Sequence, residues 1–244
     1  MAEDIIYGFN PVLEALRGKR QAFELFLTEG NDRRQEKVLA LAKERGVAVR
    51  RREKKDISRL TGTEHHQGVA LRLEGFPYTD LQQLLDTIAA KSGTGLVVVL
   101  DGIQDPHNLG AIIRSAACAG ADGVIIPRDR AVGVTPVVEK ASAGAAETVP
   151  VVQVTNIAQT LATLKEADFW IYGASQESDA TIYDQQLSGS IALVIGGEGE
   201  GIRPLVRKGC DVLAAIPLQG GVQSLNASVA AGIFLFEVVR QRLP

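Results

Sequence analysis

The sequence predicts an α/β protein, with a doubly wound C-terminal domain on a parallel sheet behind a smaller N-terminal α/β domain. Three observations predict it. Six short runs rich in β-branched residues show no apolar–polar alternation: "LVVVL" (96–100), "GVIIP" (123–127), "VPVVQV" (149–154), "FWIYG" (169–173), "IALVIG" (191–196) and "VLAAIP" (212–217). Strands of that kind are covered on both faces, as in a parallel sheet. Helical segments fall between most of them. Residues 1–75 repeat strand and helix on a smaller scale.

In order, "AFELFL" (22–27) reads as a strand, "DRRQEKVLALAKERG" (32–46) as a helix ended by Gly46, and "VAV" (47–49) as a strand. "EKKDISRL" (53–60) is a short helix and "GVALRL" (68–73) another strand. "EGFPYTD", with Pro77 and a possible N-cap at Thr79, is a linker leading to the helix "LQQLLDTIAAK" (81–91). The expected organisation is therefore 1–75 as a first domain, 76–95 as linker and connecting helix, and 96–244 as a second domain.

The 244 residues are 45% hydrophobic and 23% charged, as in an ordinary globular chain with a real core. No apolar run approaches the roughly 20 residues of a bilayer span, and "MAEDIIYGF" has no secretory signal character. A cytoplasmic protein without a membrane partner is expected. Cys118 and Cys210 read as buried free thiols in a reducing compartment. His65 and His66 are adjacent and His107 stands alone, so no metal site is legible. The net charge of −3 hides an asymmetry: residues 1–75 hold 15 Lys and Arg against 12 Asp and Glu, and the remainder holds 11 against 17. The basic excess sits in "VRRREKKDISR", where Arg50, Arg51, Arg52, Lys54 and Lys55 form either plain solvated surface or a phosphate-contact patch.

Ligands of such sheets bind outside the C-terminal ends of the strands, and three unusual segments follow strands there. In "DGIQDPHNLGAIIRSAACAG" (101–120), Asp105 or Asn108 can cap a helix and Pro106 suits its first turn. Leu109, Ile112, Ile113, Ala116 and Ala117 form one apolar helical face, and from Leu109 to Ala121 the only charge is Arg114. It either pairs with a neighbour or meets an anion or a reacting group. "GGEGEGI" (196–202) brings backbone close to a ligand or makes a tight turn. It has neither dinucleotide nor P-loop spacing, and Pro204 is expected to keep a helix from opening directly behind it. Its Glu198 and Glu200 repel phosphate and suit a cationic centre. In "IPLQGGVQSLNASVAAGIFLFEVVR" (216–240), Gln223, Ser224, Asn226 and Ser228 precede a helix whose run from Val229 to Phe236 predicts burial. Those polar groups are either ordinary caps for buried N–H groups or the lining of a site. With no nucleophilic Cys, paired His or metal cluster, the inventory suits groups that position two substrates for direct transfer.

In this order and at these distances the segments resemble the three signature motifs of the SpoU/TrmH class of SPOUT methyltransferases. Asn108, Gly110 and Arg114 meet the first. Gly196, Gly197, Glu198, Gly199, Gly201 and Ile202 meet the second. Ile216, Pro217, Ser224, Leu225, Asn226 and Ser228 meet the third. The likeness covers about 96–242, with Leu218 where Met is common and Ala227 where Val is. "IYGFNPVLEAL" (6–16) and "HHQGVAL" (65–71) resemble landmarks of the family's L30e-like, RNA-binding N-terminal extension. With that extension, the chain resembles members that methylate a guanosine ribose in 23S ribosomal RNA. The alternatives are a transfer-RNA ribose methylase and a non-catalytic ribosome-assembly RNA-binding protein.

The resemblance implies S-adenosylmethionine as donor, an RNA ribose 2′-hydroxyl as acceptor, a homodimer through the C-terminal domain, and a deep trefoil knot there. Gly220 and Gly221 would form the bend of the knot. Catalysis would fall to Arg114, Asn108, Glu198, Ser224 and Asn226. Arg114 would lower the hydroxyl pKa and anchor the adjacent phosphate, with Ser224 or water relaying the proton. Glu198 would position Arg114 or the RNA. Gly196, Gly197, Ile216, Leu218, Leu225 and Ser228 would hold the cofactor. Arg50, Arg51, Arg52, Lys54 and Lys55 would contact RNA.

Overall fold

The computed structural model describes residues 3–30, 33–91 and 93–243. The chain runs β1 (Glu3–Tyr7), α1 (Phe9–Arg17), β2 (Ala22–Leu27), α2 (Arg33–Glu44), β3 (Ala48–Arg51), α3 (Lys54–Thr61) and β4 (Val69–Glu74). It continues as α4 (Leu81–Ala89), β5 (Leu96–Asp101), α5 (Pro106–Cys118), β6 (Gly123–Pro127), α6 (Pro136–Ala141), β7 (Val151–Val154) and α7 (Ile157–Glu166). The last elements are β8 (Trp170–Ala174), β9 (Ile191–Gly196), α8 (Pro204–Gly209), β10 (Val212–Ala214) and α9 (Ala227–Arg242). Asp32, read as the start of the second helix, lies outside the described residues.

Two units emerge. The first ends at Pro77 and also takes in Val134–Lys140; the second holds the remainder. In the first, a mixed sheet runs β1-β4-β2-β3, with only β2 and β3 parallel. β1 and α1 escape the reading of strands and helices from sequence. β1 is five residues with one buried side chain, and α1 opens on Asn10-Pro11, which resembles a turn. Proline is tolerated there because a first-turn N–H has no helical partner anyway. Phe9, Val12, Ala15 and Leu16 of α1 then meet Leu25, Leu27, Val38 and Leu71 in one core. Gln67 accepts a hydrogen bond from the N–H of Phe9 (3.3 Å), joining the two N-terminal landmark stretches. In the added segment, Glu139 pairs with Arg20 (3.3 Å) and Lys140 with Glu14 (2.9 Å).

In the second unit six strands lie in the order β10-β8-β9-β5-β6-β7, and every neighbouring pair is parallel. The unalternating runs are buried on both faces: Leu96 to Leu100 and Ile191 to Val194 are at most 2% exposed. From β5 the chain steps outward to β6 and β7, then returns to the opposite side with β8 and β9. The order reverses between β5 and β9, which opens a crevice at their C-terminal ends.

Three expectations need correction. Helix α9 is only partly buried: Phe234, Leu235 and Val238 face the core, but Val229 is 50% and Phe236 49% exposed. An apolar run says nothing about which face finds a partner within one chain. The cysteines are free but not buried, Cys118 being exposed and Cys210 half-buried. Pro204 does not exclude a helix behind the glycine loop; it occupies the first turn of α8. Among the described residues, no helix is long and apolar enough to cross a membrane.

Candidate functional site

The crevice begins where β5 ends. Asp101 closes the strand with its side chain fully buried, so its carboxylate requires partners. Arg203 supplies them. Its backbone N–H donates to Oδ2 (2.8 Å), its Nε donates to Oδ1 (2.8 Å), and its Nη2 lies 2.5 Å from Oδ1 in an ion pair. The hydrogen bond to Asp101 raises the already high pKa of Arg203. Four residues on, Asp105 caps α5 by accepting from the N–H of His107 (2.9 Å), with Pro106 in the first turn. Of the two cap candidates Asp105 performs that task, which leaves the buried Asn108 for another.

The glycine loop follows β9 and folds back on itself, with Gly201 N–H donating to the Gly197 carbonyl (3.1 Å). Side chains are excluded by the backbone itself. A Cβ on Gly196 would lie 2.1 Å from the carbonyl carbon of Gly201, and one on Gly197 would lie 2.5 Å from the Gly102 carbonyl oxygen. Gly197 N–H also donates to the Asp101 carbonyl (3.0 Å). The loop is thus held to the end of β5 by backbone at one side and by the Asp101–Arg203 pair at the other.

The third segment returns from β10 and reaches α9 at Asn226. The Asn226 Oδ1 accepts from the N–H groups of Ser228 (2.9 Å) and Val229 (3.3 Å) and from the Ser228 hydroxyl (2.6 Å). Its Nδ2 donates to the Asn108 Oδ1 (3.0 Å), and the Asn108 Nδ2 donates to the Glu198 Oε1. One side chain therefore caps a helix and extends a hydrogen-bonded line through all three segments. For Asn226, helix capping and contact with another of the three segments coincide.

Above this line opens a cavity of about 490 Å³. Ile195, Ile216, Leu225 and Phe234 give it apolar walls. Its charged lining is three carboxylates, Glu177, Glu198 and Glu200, against one guanidinium, Arg207. Arg207 pairs with Glu177 (2.6 Å). That lining suits a small, largely apolar ligand with a positive centre.

The expected site residues divide. Gly196, Gly197, Glu198, Ile216, Ser224, Leu225 and Asn226 line the cavity, and Asn108 is bonded to two of them. Leu218 and Ser228 do not line it. Arg114 does not either: it is exposed on α5, six residues and roughly 9 Å of helix beyond Asn108, with no ion-pair partner among the described residues. Within the chain the partner of Glu198 is Asn108 rather than Arg114. Gly220 and Gly221 face open space without a left-handed φ, and nothing in the structure requires glycine there. Sequence reasoning passes over Asp101, Arg203, Glu177 and Arg207. An acid ending an apolar strand was the one available signal, for Asp101.

The basic run of the first unit is largely engaged. Arg50 pairs with Glu24 (2.9 Å), Lys54 with Glu64 (3.4 Å) and Lys55 with Glu53 (2.8 Å). Arg51 donates to the Thr28 carbonyl (2.6 Å) and to Gln35 (2.7 Å). Arg52 is exposed and its side chain has no partner among the described residues.

Comparison with known proteins agrees with this geometry. Residues 95–236 match the SpoU rRNA Methylase family, and residues 5–79 match the RNA 2′-O ribose methyltransferase substrate-binding domain. A 23S rRNA (guanosine-2′-O-)-methyltransferase RlmB from Xylella fastidiosa is 44% identical, over 97% of this chain and 96% of its own. That from Ralstonia nicotianae is also 44% identical, over 98% and 96%. Among solved structures, the SpoU methyltransferase AviRb from Streptomyces viridochromogenes, in complex with AdoMet, is 26% identical with a TM-score of 0.64. The alignment covers 98% of this chain and 90% of that one.

Proposed function

The chain belongs to the SpoU rRNA methylase family, and from that membership we propose that it methylates the ribose 2′-hydroxyl of a guanosine in 23S ribosomal RNA, with S-adenosylmethionine as donor. The observation that carries the reading is the line Glu198–Asn108–Asn226, which gathers three distant segments beneath one acidic, apolar-walled cavity. The cofactor fits that cavity: apolar walls suit its nucleoside, close backbone at Gly196 and Gly197 admits it, and the carboxylates suit its sulfonium. When bound, it supplies an electrophilic methyl group.

The chain's own residues supply position and polarity. Ile216 and Leu225 would pack against the nucleoside beside Gly196, and the Ser228 hydroxyl holds Asn226 from outside the cavity. Asn108, itself held by Asn226, donates to Glu198 in the cavity wall. Ser224 lines the cavity with a hydroxyl able to pass the 2′-hydroxyl proton to water. Arg114, with no ion-pair partner among the described residues, is left to the RNA, where its guanidinium would anchor the phosphate and favour the alkoxide. A guanidinium keeps its proton across the working pH range and is a poor base, so alignment carries much of the rate.

The same reading includes a homodimer through the second unit, which would cover the exposed Val229 and Phe236 of α9. It includes a trefoil knot formed by the glycine loop and by the return of residues 215–226 from the sheet edge. An L30e-like first unit presents RNA, Arg52 being the cation of its basic run without a side-chain partner among the described residues, and the protein works in the cytoplasm. The test is methyl transfer from labelled S-adenosylmethionine to unmodified 23S ribosomal RNA and to transfer RNA, followed by mapping of 2′-O-methyl positions. One labelled guanosine in 23S RNA is expected. Label in transfer RNA alone, or cofactor binding without label in any RNA, overturns the assignment.

A further inference from the structure

A second cavity, of about 540 Å³, opens on the same edge of the sheet, where β6 and β7 end. Its volume falls within the range of small-molecule sites. Arg128, Gln153, Asn156 and Gln159 line it, with Tyr78 and Asp80 beside them. One carboxylate oxygen of Asp80 is taken by the N–H groups of Gln82 (2.9 Å) and Gln83 (3.4 Å) at the start of α4. The Asn156 Oδ1 accepts from the Gln159 N–H (3.2 Å). The remaining amide groups are open: the Asn156 Nδ2 and the side-chain amides of Gln153 and Gln159 have no partner among the described residues. The exposed guanidinium of Arg128 has none either.

Three amides and one guanidinium around a concavity have a particular chemistry. Gln153 and Gln159 each offer a donor and an acceptor side by side, and Asn156 adds a donor, the pattern that meets the edge of an unpaired nucleobase. A free guanidinium suits a phosphate. The place agrees with the chemistry. Three strand spacings, about 14 Å, separate β7 from β9, roughly the rise of four stacked nucleotides.

We propose that this cavity receives an unpaired nucleotide of the substrate RNA a few residues from the modified ribose, its base against Gln153, Asn156 and Gln159 and its phosphate on Arg128. The proposal rests on the ribose-methylation reading and extends it to how the RNA is placed.

The experiment is RNA binding by the full chain, measured by fluorescence anisotropy at several salt concentrations. The probes are an unmodified 23S ribosomal RNA transcript and single-stranded decamers of A, U and C. Arg128→Ala should weaken binding to every probe by about fivefold and lower the salt slope by about one. Gln153→Ala/Gln159→Ala should leave that slope alone and reduce the preference among decamers by about tenfold. Thermal melting of each variant checks that the fold is intact. Unchanged affinity and preference in both variants overturns the proposal, as does wild-type protein that binds no RNA. A loss confined to Arg128→Ala overturns the base pocket. Because binding is read without methyl transfer, a chain that binds RNA through these residues yet methylates none would sink the functional reading alone.

Discussion

Asn226 donates a hydrogen bond to Asn108 across 118 positions of chain, while its own carbonyl oxygen caps α9. The two bonds use opposite ends of one carboxamide, so no other side chain of this size supplies both. Asn226→Asp keeps the cap acceptor and loses the donor, setting a carboxylate oxygen against the Asn108 Oδ1. Asn226→Ala loses both, at about 2 kcal/mol for cap and hydrogen bond together. A melting temperature lower by about 6 °C is expected for Ala. The aspartate variant should keep most of its stability and lose methyl transfer. Calorimetry beside single-turnover methylation checks the separation; an active Asn226→Asp enzyme refutes it.

The Asp101–Arg203 pair should govern cofactor affinity, because it fixes the far side of the glycine loop. Asp101→Asn is isosteric but turns an amide N–H2 toward the donors of Arg203. Removing one partner of a buried pair costs several kcal/mol, and the 38% exposure of the Arg203 side chain reduces this to about 2 kcal/mol here. S-adenosylmethionine affinity, by titration calorimetry, should fall at least tenfold in Asp101→Asn. Arg203→Lys should fall less, since its backbone N–H still donates to Asp101. Unaltered affinity in both would show that backbone alone holds the loop.

Much of this was legible beforehand, for identifiable reasons. The parallel sheet was legible because a strand covered on both faces cannot alternate, as in Leu96–Leu100 and Ile191–Ile195. Where a proline intervenes the strand is shorter than its apolar run: β7 starts after Pro150, and β10 ends before Pro217. Asn108, Glu198 and Asn226 were legible as polar residues set against apolar strands and helices. The Asp101–Arg203 pair was not, because its members are 102 positions apart and nothing local distinguishes a paired acid from an ordinary strand end. The isolation of Arg114 was not legible either, since helical periodicity names the exposed face but not what covers it.

The two cysteines should differ in reactivity and in their effect on stability. Burial pushes the Cys210 thiol up to about 11, while Cys118 is exposed. A thiol reagent at pH 8 should label Cys118 at once and Cys210 only on unfolding. Unfolded cysteine releases its proton near pH 8.5, so between there and pH 11 the unfolded state binds fewer protons than the native one. Stability from Cys210 is thus complete below that window and lost as pH rises through it. Melting curves from pH 8 to 11 for wild type and Cys210→Ala should converge as pH rises; parallel curves would refute the assignment.

In the first unit, Arg52 should carry more RNA affinity than the other cations of its run. Arg50, Lys54 and Lys55 already face carboxylates, and Arg51 ties the end of β2 to α2. Arg52→Ala should lower the salt slope of RNA binding by about one. Arg51→Ala should lower the melting temperature while leaving the slope alone. If Arg50→Ala and Arg52→Ala weaken binding equally, the ion pair to Glu24 is too exposed to matter.

Arg114 gives the sharpest test of the chemistry. It lies outside the cavity and its charge has no partner among the described residues, so stability and cofactor affinity should not depend on it. If its guanidinium anchors the phosphate and favours the alkoxide, removal should slow methyl transfer and weaken RNA binding while sparing cofactor affinity. Arg114→Ala is expected to lose about 10² to 10⁴ in kcat, the scale of one proton-transfer contribution. Arg114→Lys should also fall, because an ammonium keeps the charge but not the planar pair of donors. Single-turnover methylation, with cofactor affinity measured beside it, separates the cases. Near-normal turnover in Arg114→Ala would remove Arg114 from the mechanism, and a matching loss of cofactor affinity would make it a binding residue instead.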